Sequence, residues 1–473
     1  MRAPDPSATP YPSRLDRATG LVLVATTALA ALGEWAGSAA AWIAAEAGTV
    51  LALALLAPAV GWGRRVFVAI GLALGLAALT LLPEGLDVLA EALRTSAFIA
   101  AFFTALSTLR HASSGSESVA RCGRFLAEQP PGRRYAALTA GGHLFAHLLS
   151  YGSLVLLGTL AETSARREPD PEIRGHRLRR MLLAIQRGFV STLPWSPFAF
   201  AVAITTALVP GAAWGEALAT CLVSGAILIL LGWVLDTAFK PRLSRPRPAR
   251  DPVEGSWALL WPLAALLAVL VALVGGLHWA TGIRIVYVAM PVVPAVALAW
   301  VIAEERGAAL PVARRASVWA QSELPGYRGE LVLLMMAGAI GTLGSALAAP
   351  AIAAGGLDLG ALPPEALLIG MVWLVPLAGQ LGMNPILTVS LSAPLLPAPE
   401  ALGVTPAAMV TAITAGWALS GACSPFTATT LLVGRMGGVS AWTVGWRWNG
   451  VYTVTGGVLL SAWVWFAAFG GLA

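Results

Sequence analysis

The sequence predicts an all-α integral membrane protein of about 11 transmembrane helices plus two re-entrant hairpins, arranged as inverted-topology repeats. Three observations lead there. Hydrophobic residues make up 57% of the 473 residues and charged residues only 11%, with a mean hydropathy of +0.76, far outside the soluble globular range. Apolar stretches near the roughly 20 residues of a spanning helix recur along the whole chain and leave no room for a sizeable soluble domain. Two of those stretches, far apart, carry the same interruption: Leu193-Pro194-Trp195-Ser196-Pro197-Phe198 and Ala422-Cys423-Ser424-Pro425-Phe426-Thr427.

From the N-terminus, Met1 to Arg17 is polar and proline-bearing. It shows no small-residue cleavage site, so Gly20 to Leu32 reads as a retained span. Residues 1–41 then form a cytoplasmic N-terminus and an extra first helix. Spans are expected near 19–33, 42–61, 66–82, 88–109, 183–208 and 213–238, then 257–276, 284–303, 329–350, 407–433 and 449–470. Two further apolar stretches, 135–160 and 365–396, carry turn formers near their middles, Ser150-Tyr151-Gly152-Ser153 and Gly382-Met383-Asn384-Pro385.

Charge selects the hairpin reading for both stretches. Basic runs before and after 135–160 belong on the cytoplasmic side, so that segment enters and leaves there. The flanks of 365–396 hold Asp358, Glu365 and Glu400 but no Lys or Arg, so that segment starts and finishes outside. Residues 42–239 then form a first repeat with hairpin 135–160 and broken helix 183–208. Residues 257–473 form a second, oppositely oriented repeat with hairpin 365–396 and broken helix 407–433. The Arg- and Pro-rich stretch 240–256 is the cytoplasmic linker. The formal charge of +6 reads as orientation bias and attraction to anionic headgroups, with no nucleic-acid partner.

A proline inside a helix removes a backbone donor and clashes with the preceding turn, so each Ser-Pro-Phe segment is expected to be two half-helices around an unwound middle. Unwound backbone at membrane depth survives where protein or a water-filled cavity satisfies it, and paired interruptions in two halves mark a transporter's binding site. Half-helix N-termini favour anions there, and freed carbonyls coordinate Na⁺. Ser196, Pro197, Ser424 and Thr427 are the candidates at the breaks, beside Ser191, Thr192 and Ser420. A simple proline kink is the plain alternative.

This order of helices, hairpins and broken helices resembles the ion transporter superfamily, and within it the divalent anion/sodium symporter architecture. Symporters of that family carry a Ser-Asn-Thr signature at each hairpin tip. Here Met383-Asn384-Pro385 with Thr388 and Ser390 keeps the Asn, whereas Ser150-Tyr151-Gly152-Ser153 keeps only small polar character. The resemblance implies an elevator-type carrier in which a bundle holding hairpins and broken helices slides against a scaffold, and it implies a homodimer.

Asn384, Thr388, Ser150 and Ser153 have the N–H and O–H donors to bind a carboxylate, or equally to cap the hairpins' own helices. His143 and His147 share one helix face and can relay protons. No third ligand accompanies them, so metal catalysis is not expected, and helix packing is the plain alternative. His147 is the preferred proton shuttle, with Ser150, Ser196, Pro197, Asn384 and Ser424 as the other ion-coupling candidates. Glu46 is the one carboxylate well inside the early spans, a weak coupling candidate. Trp257, Trp261, Trp442, Trp446 and Trp448 read as interfacial anchors. Gly141-Gly142 and Gly437-Gly438 read as tight turns or close helix contacts. The three cysteines lack CxxC spacing and suggest neither disulfide nor zinc site.

These features favour a secondary active transporter in the inner (plasma) membrane, N-terminus cytoplasmic and C-terminus outside. It would move a small polar, preferably anionic solute such as a carboxylate or other oxyanion, coupled to Na⁺ or H⁺ and needing no cofactor. The alternatives are an intramembrane enzyme built on His143, His147 and Ser150, a cation/proton antiporter, and a channel or scaffold of the same fold. An antiporter would need a buried Asp or Glu, which both broken segments lack.

Overall fold

The structure is a computed structural model and describes residues 13–114, 116–241, 255–304, 311–355 and 359–470. Positions 1–12 of the N-terminus, 242–254 of the linker and the last three residues lie outside them. In chain order the helices are α1 (Arg14–Trp35), α2 (Ala39–Leu56), α3 (Trp62–Leu81), α4 (Gly85–Ser114), α5 (Glu117–Glu128), α6 (Pro131–Leu149), α7 (Gly152–Arg166), α8 (Pro171–Val190), α9 (Phe200–Leu208) and α10 (Trp214–Ala238). The second half holds α11 (Trp261–Thr281), α12 (Ile285–Glu304), α13 (Val312–Val318), α14 (Leu324–Gly326), α15 (Arg328–Ala354), α16 (Pro364–Gln380), α17 (Pro385–Ser392), α18 (Pro406–Cys423), α19 (Ala428–Gly437) and α20 (Gly450–Phe469). No strand occurs among the described residues, and the fold class is that of an all-α integral membrane protein.

Ten segments among the described residues are long and apolar enough to span a bilayer, one fewer than the sequence suggested. The difference is the segment placed at 183–208. Its first half is α8, which starts twelve residues earlier, where Asp170 caps it by accepting from the N–H of Glu172 at 2.9 Å and Ile173 at 3.2 Å. The basic residues up to Arg180 are therefore the first turns of a helix, which a search for apolar windows passes over. α5 was missed for the same reason: it is amphipathic, burying Val119, Cys122, Phe125 and Leu126 on one face.

The chain divides into two compact units, Met1–Ala112 with Tyr287–Leu347, and Ser113–Val286 with Ala348–Ala473. In the first, α1 packs along α2, and Gly20 lies so close to the Ala320 carbonyl that a Cβ there would collide with it. Tyr287 of α12 meets Trp42 edge-on at 5.8 Å and Phe98 at 5.4 Å. Glu46, a coupling candidate in the sequence, is ion-paired to Arg94 at 3.2 Å, and Arg94 also lies over the Trp42 ring. Its charge is spent on packing.

The second unit holds α5 to α11 and α16 to α20. α6 and α7 pack together across the Ser150-Tyr151 turn, and α16 and α17 across the Gly382 turn. At 1.5 Å per residue, the 15 residues of α7 reach about 22 Å and the 8 of α17 about 12 Å, short of a roughly 30 Å hydrocarbon core. Each first arm lies along the helix that precedes a break, α6 on α8 and α16 on α18. Glycine permits the approach: a Cβ on Gly142 would meet the Ile185 backbone at 2.5 Å, and one on Gly416 the Met371 carbonyl at 2.6 Å. Gly142 therefore serves a helix contact, whereas Gly438, with φ of 65°, ends α19 in a left-handed turn.

Candidate functional site

The second unit contains both Ser-Pro-Phe segments, and helical hydrogen bonding lapses at each. α8 ends at Val190 and α9 begins at Phe200; α18 ends at Cys423 and α19 begins at Ala428. Each serine closes the same small turn: Ser196 Oγ accepts from the Phe198 N–H, and Ser424 Oγ from the Phe426 N–H, both at 3.3 Å. The carbonyls freed by the breaks find local donors. Trp214 Nε1 donates to the Trp195 carbonyl at 2.9 Å. In the second break Thr429 donates to Gly421, and Thr427 and Thr430 donate to Ser424 at 2.9 and 2.6 Å. The breaks differ at their aromatic residue: Phe198 is buried, while Phe426 is 60% exposed.

The second hairpin is fastened to the second break. Ser424 Oγ donates to the Gly379 carbonyl at 2.6 Å, and Gln380 Nε2 reaches Cys423 Sγ at 3.4 Å. Asn384 Oδ1 accepts from the Ile386 N–H at 2.9 Å and so caps α17, while Thr388 Oγ1 donates to the Asn384 carbonyl at 3.3 Å. Neither side chain is hydrogen-bonded to Ser424 among the described residues, so the structure does not join these candidates into one cluster. At the first tip Ser153 Oγ donates to the Ser150 carbonyl at 2.7 Å, and Ser150 holds φ of 48° without being glycine.

His143 and His147 face Trp195 of the first break, with ring centroids 5.5 and 4.9 Å away. His143 Nδ1 is 2.8 Å from Ser191 Oγ, and His147 Nδ1 is 2.8 Å from the His143 carbonyl. No hydrogen bond joins Ser150 to either imidazole among the described residues, so the nucleophile and base of the enzyme reading are not paired. No cluster of three or more His, Cys, Asp or Glu side chains able to hold a metal occurs among them either.

What sequence reasoning missed is a buried polar network centred on Arg187 of α8, 4% exposed. Arg187 Nε donates to Asn449 Oδ1 at 3.0 Å; its other nitrogens reach Tyr135 Oη at 3.2 Å and the carbonyls of Trp448 at 3.4 Å and Gly232 at 3.5 Å. The guanidinium lies 4.6 Å over the Tyr452 ring. Asn449 Nδ2 donates to Gln186 Oε1 at 3.0 Å and to the Ala422 carbonyl at 3.3 Å, next to the second break. Every acceptor of Arg187 among the described residues is neutral. The nearby carboxylate, Asp236, is engaged by Arg180 in a two-pronged pair at 2.7 and 2.6 Å. Burying a charge costs several kcal/mol, only partly offset by neutral acceptors and an aromatic face. The signal was available, because Arg187 falls inside the apolar window at 183–208 and an ionisable residue at that depth is a functional candidate by default.

Two solved structures share this all-α membrane fold. The YdaH transporter of Alcanivorax borkumensis, described as having an unusual topology, aligns with a TM-score of 0.55 and 16% identity over 85% of this chain and 98% of that one. MtrF of Neisseria gonorrhoeae, described as illuminating a class of antimetabolite efflux pumps, aligns with a TM-score of 0.54 and 14% identity over 87% of this chain and 96% of that one. At these identities the likeness is one of fold. No family model matches the chain, and no curated protein matches it.

Proposed function

We propose that this protein is a secondary active transporter of a small anionic solute, a carboxylate or another oxyanion. The observation that carries this reading is Arg187: a buried cation near the first helix break and linked through Asn449 to the second, with no carboxylate hydrogen-bonded to it among the described residues. A site with that charge favours anions and repels organic cations. The two breaks, each a turn closed by one serine, supply the half-helix ends that suit such a solute and a coupling Na⁺ or H⁺. In this reading the two sequence repeats have opposite orientation, as in the ion transporter superfamily. The unit holding the hairpins and breaks moves as an elevator, the other unit is the scaffold of a homodimer, and the protein lies in the inner membrane. Two near-equivalent packings would then give the alternating states.

The test is flux in proteoliposomes in both directions, with small mono- and dicarboxylates, sulfonates and inorganic oxyanions, under imposed Na⁺ and pH gradients. Gradient-driven movement of at least one anion class is expected, and it should be lost in Asn449→Asp, which places a carboxylate against Arg187. Movement of organic cations instead, or anion flux indifferent to that change, would reject the reading.

A further inference from the structure

A cavity of about 630 Å³ lies in the second unit between α6, α10 and α11, beside Trp195 of the first break. No Asp, Glu, Lys or Arg is among its lining residues, and Leu144, Ile229, Leu230, Trp233 and Leu267 make up much of its wall. Protein interiors leave few voids larger than a water molecule, so a space of this size within a packed unit is one that another molecule fills.

Leu230 and Trp233 line the cavity and are at the same time 60% and 50% exposed on α10, so its mouth is on the outer surface of the helices. The flanks of that mouth are apolar too: Leu222, Val223 and Val234 are exposed along α10, and Val269 and Leu273 along α11. On spanning segments such a surface meets hydrocarbon, and the cavity is therefore a lateral recess that opens into the bilayer. Its depth follows from α11. Trp261, at the start of that helix, is 73% exposed, where an indole suits the headgroup level. Leu267 lies about 9 Å further along the helix axis, at the depth of acyl chains.

The polar side chains of the wall are turned to other partners or sealed. His143 Nδ1 is on Ser191 Oγ and His147 Nδ1 on the His143 carbonyl, both at 2.8 Å, and Tyr135 Oη accepts from Arg187. Thr139 Oγ1 and His147 Nε2 each expose less than 1 Å², so a molecule in the recess does not reach them. We propose that the recess is a binding site for one acyl chain of a membrane phospholipid, lying along α6 against Trp195 with its headgroup at the level of Trp261. A hydrocarbon chain gains from apolar area alone, whereas a charged or polar solute would lose its hydration here without compensation. The inference does not depend on the transport reading, because binding is read without flux.

The experiment uses the full chain in nanodiscs of phosphatidylcholine and phosphatidylglycerol, with a small share of phosphatidylcholine carrying a diazirine midway along one chain. After irradiation, peptide mass mapping is expected to find adducts on the recess residues of α6, α10 and α11 in excess over the outer face of α20, where Val454 and Val458 are exposed. Native mass spectrometry of the detergent-extracted protein is expected to find one phospholipid retained per chain. Ala136 and Ala140 are exposed on the α6 wall of the recess. Ala136→Trp together with Ala140→Trp fills it without altering either histidine, and should lose both the excess and the retained lipid while adducts on α20 persist. The natural protein decides first: adducts spread evenly over the recess and α20 would mean ordinary bilayer contact and would overturn the proposal. So would a retained molecule whose mass is not that of a phospholipid, or an excess that survives the paired substitution.

Discussion

Arg187 Nε donates to Asn449 Oδ1 at 3.0 Å, and no carboxylate among the described residues is hydrogen-bonded to that guanidinium. That bond ties the first broken helix to the start of α20, and the Asn449 amide continues it to the Ala422 carbonyl beside the second break. One buried cation thus reaches, through one neutral side chain, both places where helical hydrogen bonding lapses.

Asn449→Asp keeps the oxygen that faces Arg187 and adds a charge partner, but it removes the amide that donates to the Gln186 oxygen and the Ala422 carbonyl. The counter-ion gained by the buried guanidinium and the acceptors left without a donor oppose each other, so the melting temperature should change by only a few degrees. Anion transport should fall by an order of magnitude or more, since the site is neutralised. Arg187→Met instead strands the Asn449 and Tyr135 oxygens, each at a cost of about 1–3 kcal/mol, so it should lose stability and transport together. Melting curves beside flux separate the two effects.

Ser196 and Ser424 make the same turn but differ in what else they hold. Ser424 also fastens the second hairpin through Gly379, and among the described residues Ser196 makes no such second bond. Ser424→Ala should therefore cost about 1 kcal/mol more than Ser196→Ala in denaturation, and it should loosen the second hairpin specifically. Hydrogen exchange over 376–392 reads this directly: faster exchange in the Ser424 variant alone is expected, and equal behaviour of the two would count against the fastening.

Ser150 occupies a backbone region that suits glycine, with φ of 48°, and at the other tip Gly382 holds φ of 90°. Ser150→Gly should relieve strain worth about 1 kcal/mol or more, and Ser150→Val should add to it. If the hydroxyl contacts solute, Ser150→Gly will be more stable and less active. A variant both more stable and fully active confines the serine to a structural part.

The interruptions after α8 and α18 are legible in sequence because their cause is local: a proline lacks a donor, and the preceding serine two residues from the phenylalanine closes the gap. The turn before α17 is legible for a similar reason, since Gly382, Asn384 and Pro385 each suit one position of a helix start. The start of α8 is equally local, written in Asp170-Pro171, but hydropathy does not register a cap that opens a basic helix. The Arg187 network was beyond local reading. Tyr135, Gly232, Asn449 and Tyr452 come from three different helices and a turn, and only packing brings them to one guanidinium. Asn384 shows the converse: its type suited either cap or ligand, and the geometry gives its oxygen to Ile386.

The short arms α7 and α17 lead to the expectation that each hairpin enters and leaves the membrane on one side. If the first hairpin enters and leaves on one side, both its ends must react with an impermeant maleimide from that side. The natural cysteines, Cys122, Cys221 and Cys423, are all buried, so labelling of introduced ones stands out above a low background. Arg133 and Arg166 are exposed at the two ends of the α6–α7 pair, and Leu362 and Glu400 flank the second hairpin. Arg133→Cys and Arg166→Cys should both label in inside-out vesicles and resist labelling in right-side-out ones, because their flanks are basic. Leu362→Cys and Glu400→Cys should show the opposite pattern. Ends of one hairpin labelling from opposite sides would make that segment a full span, and the two repeats would then lose their opposed orientation, which alternating access by this fold requires.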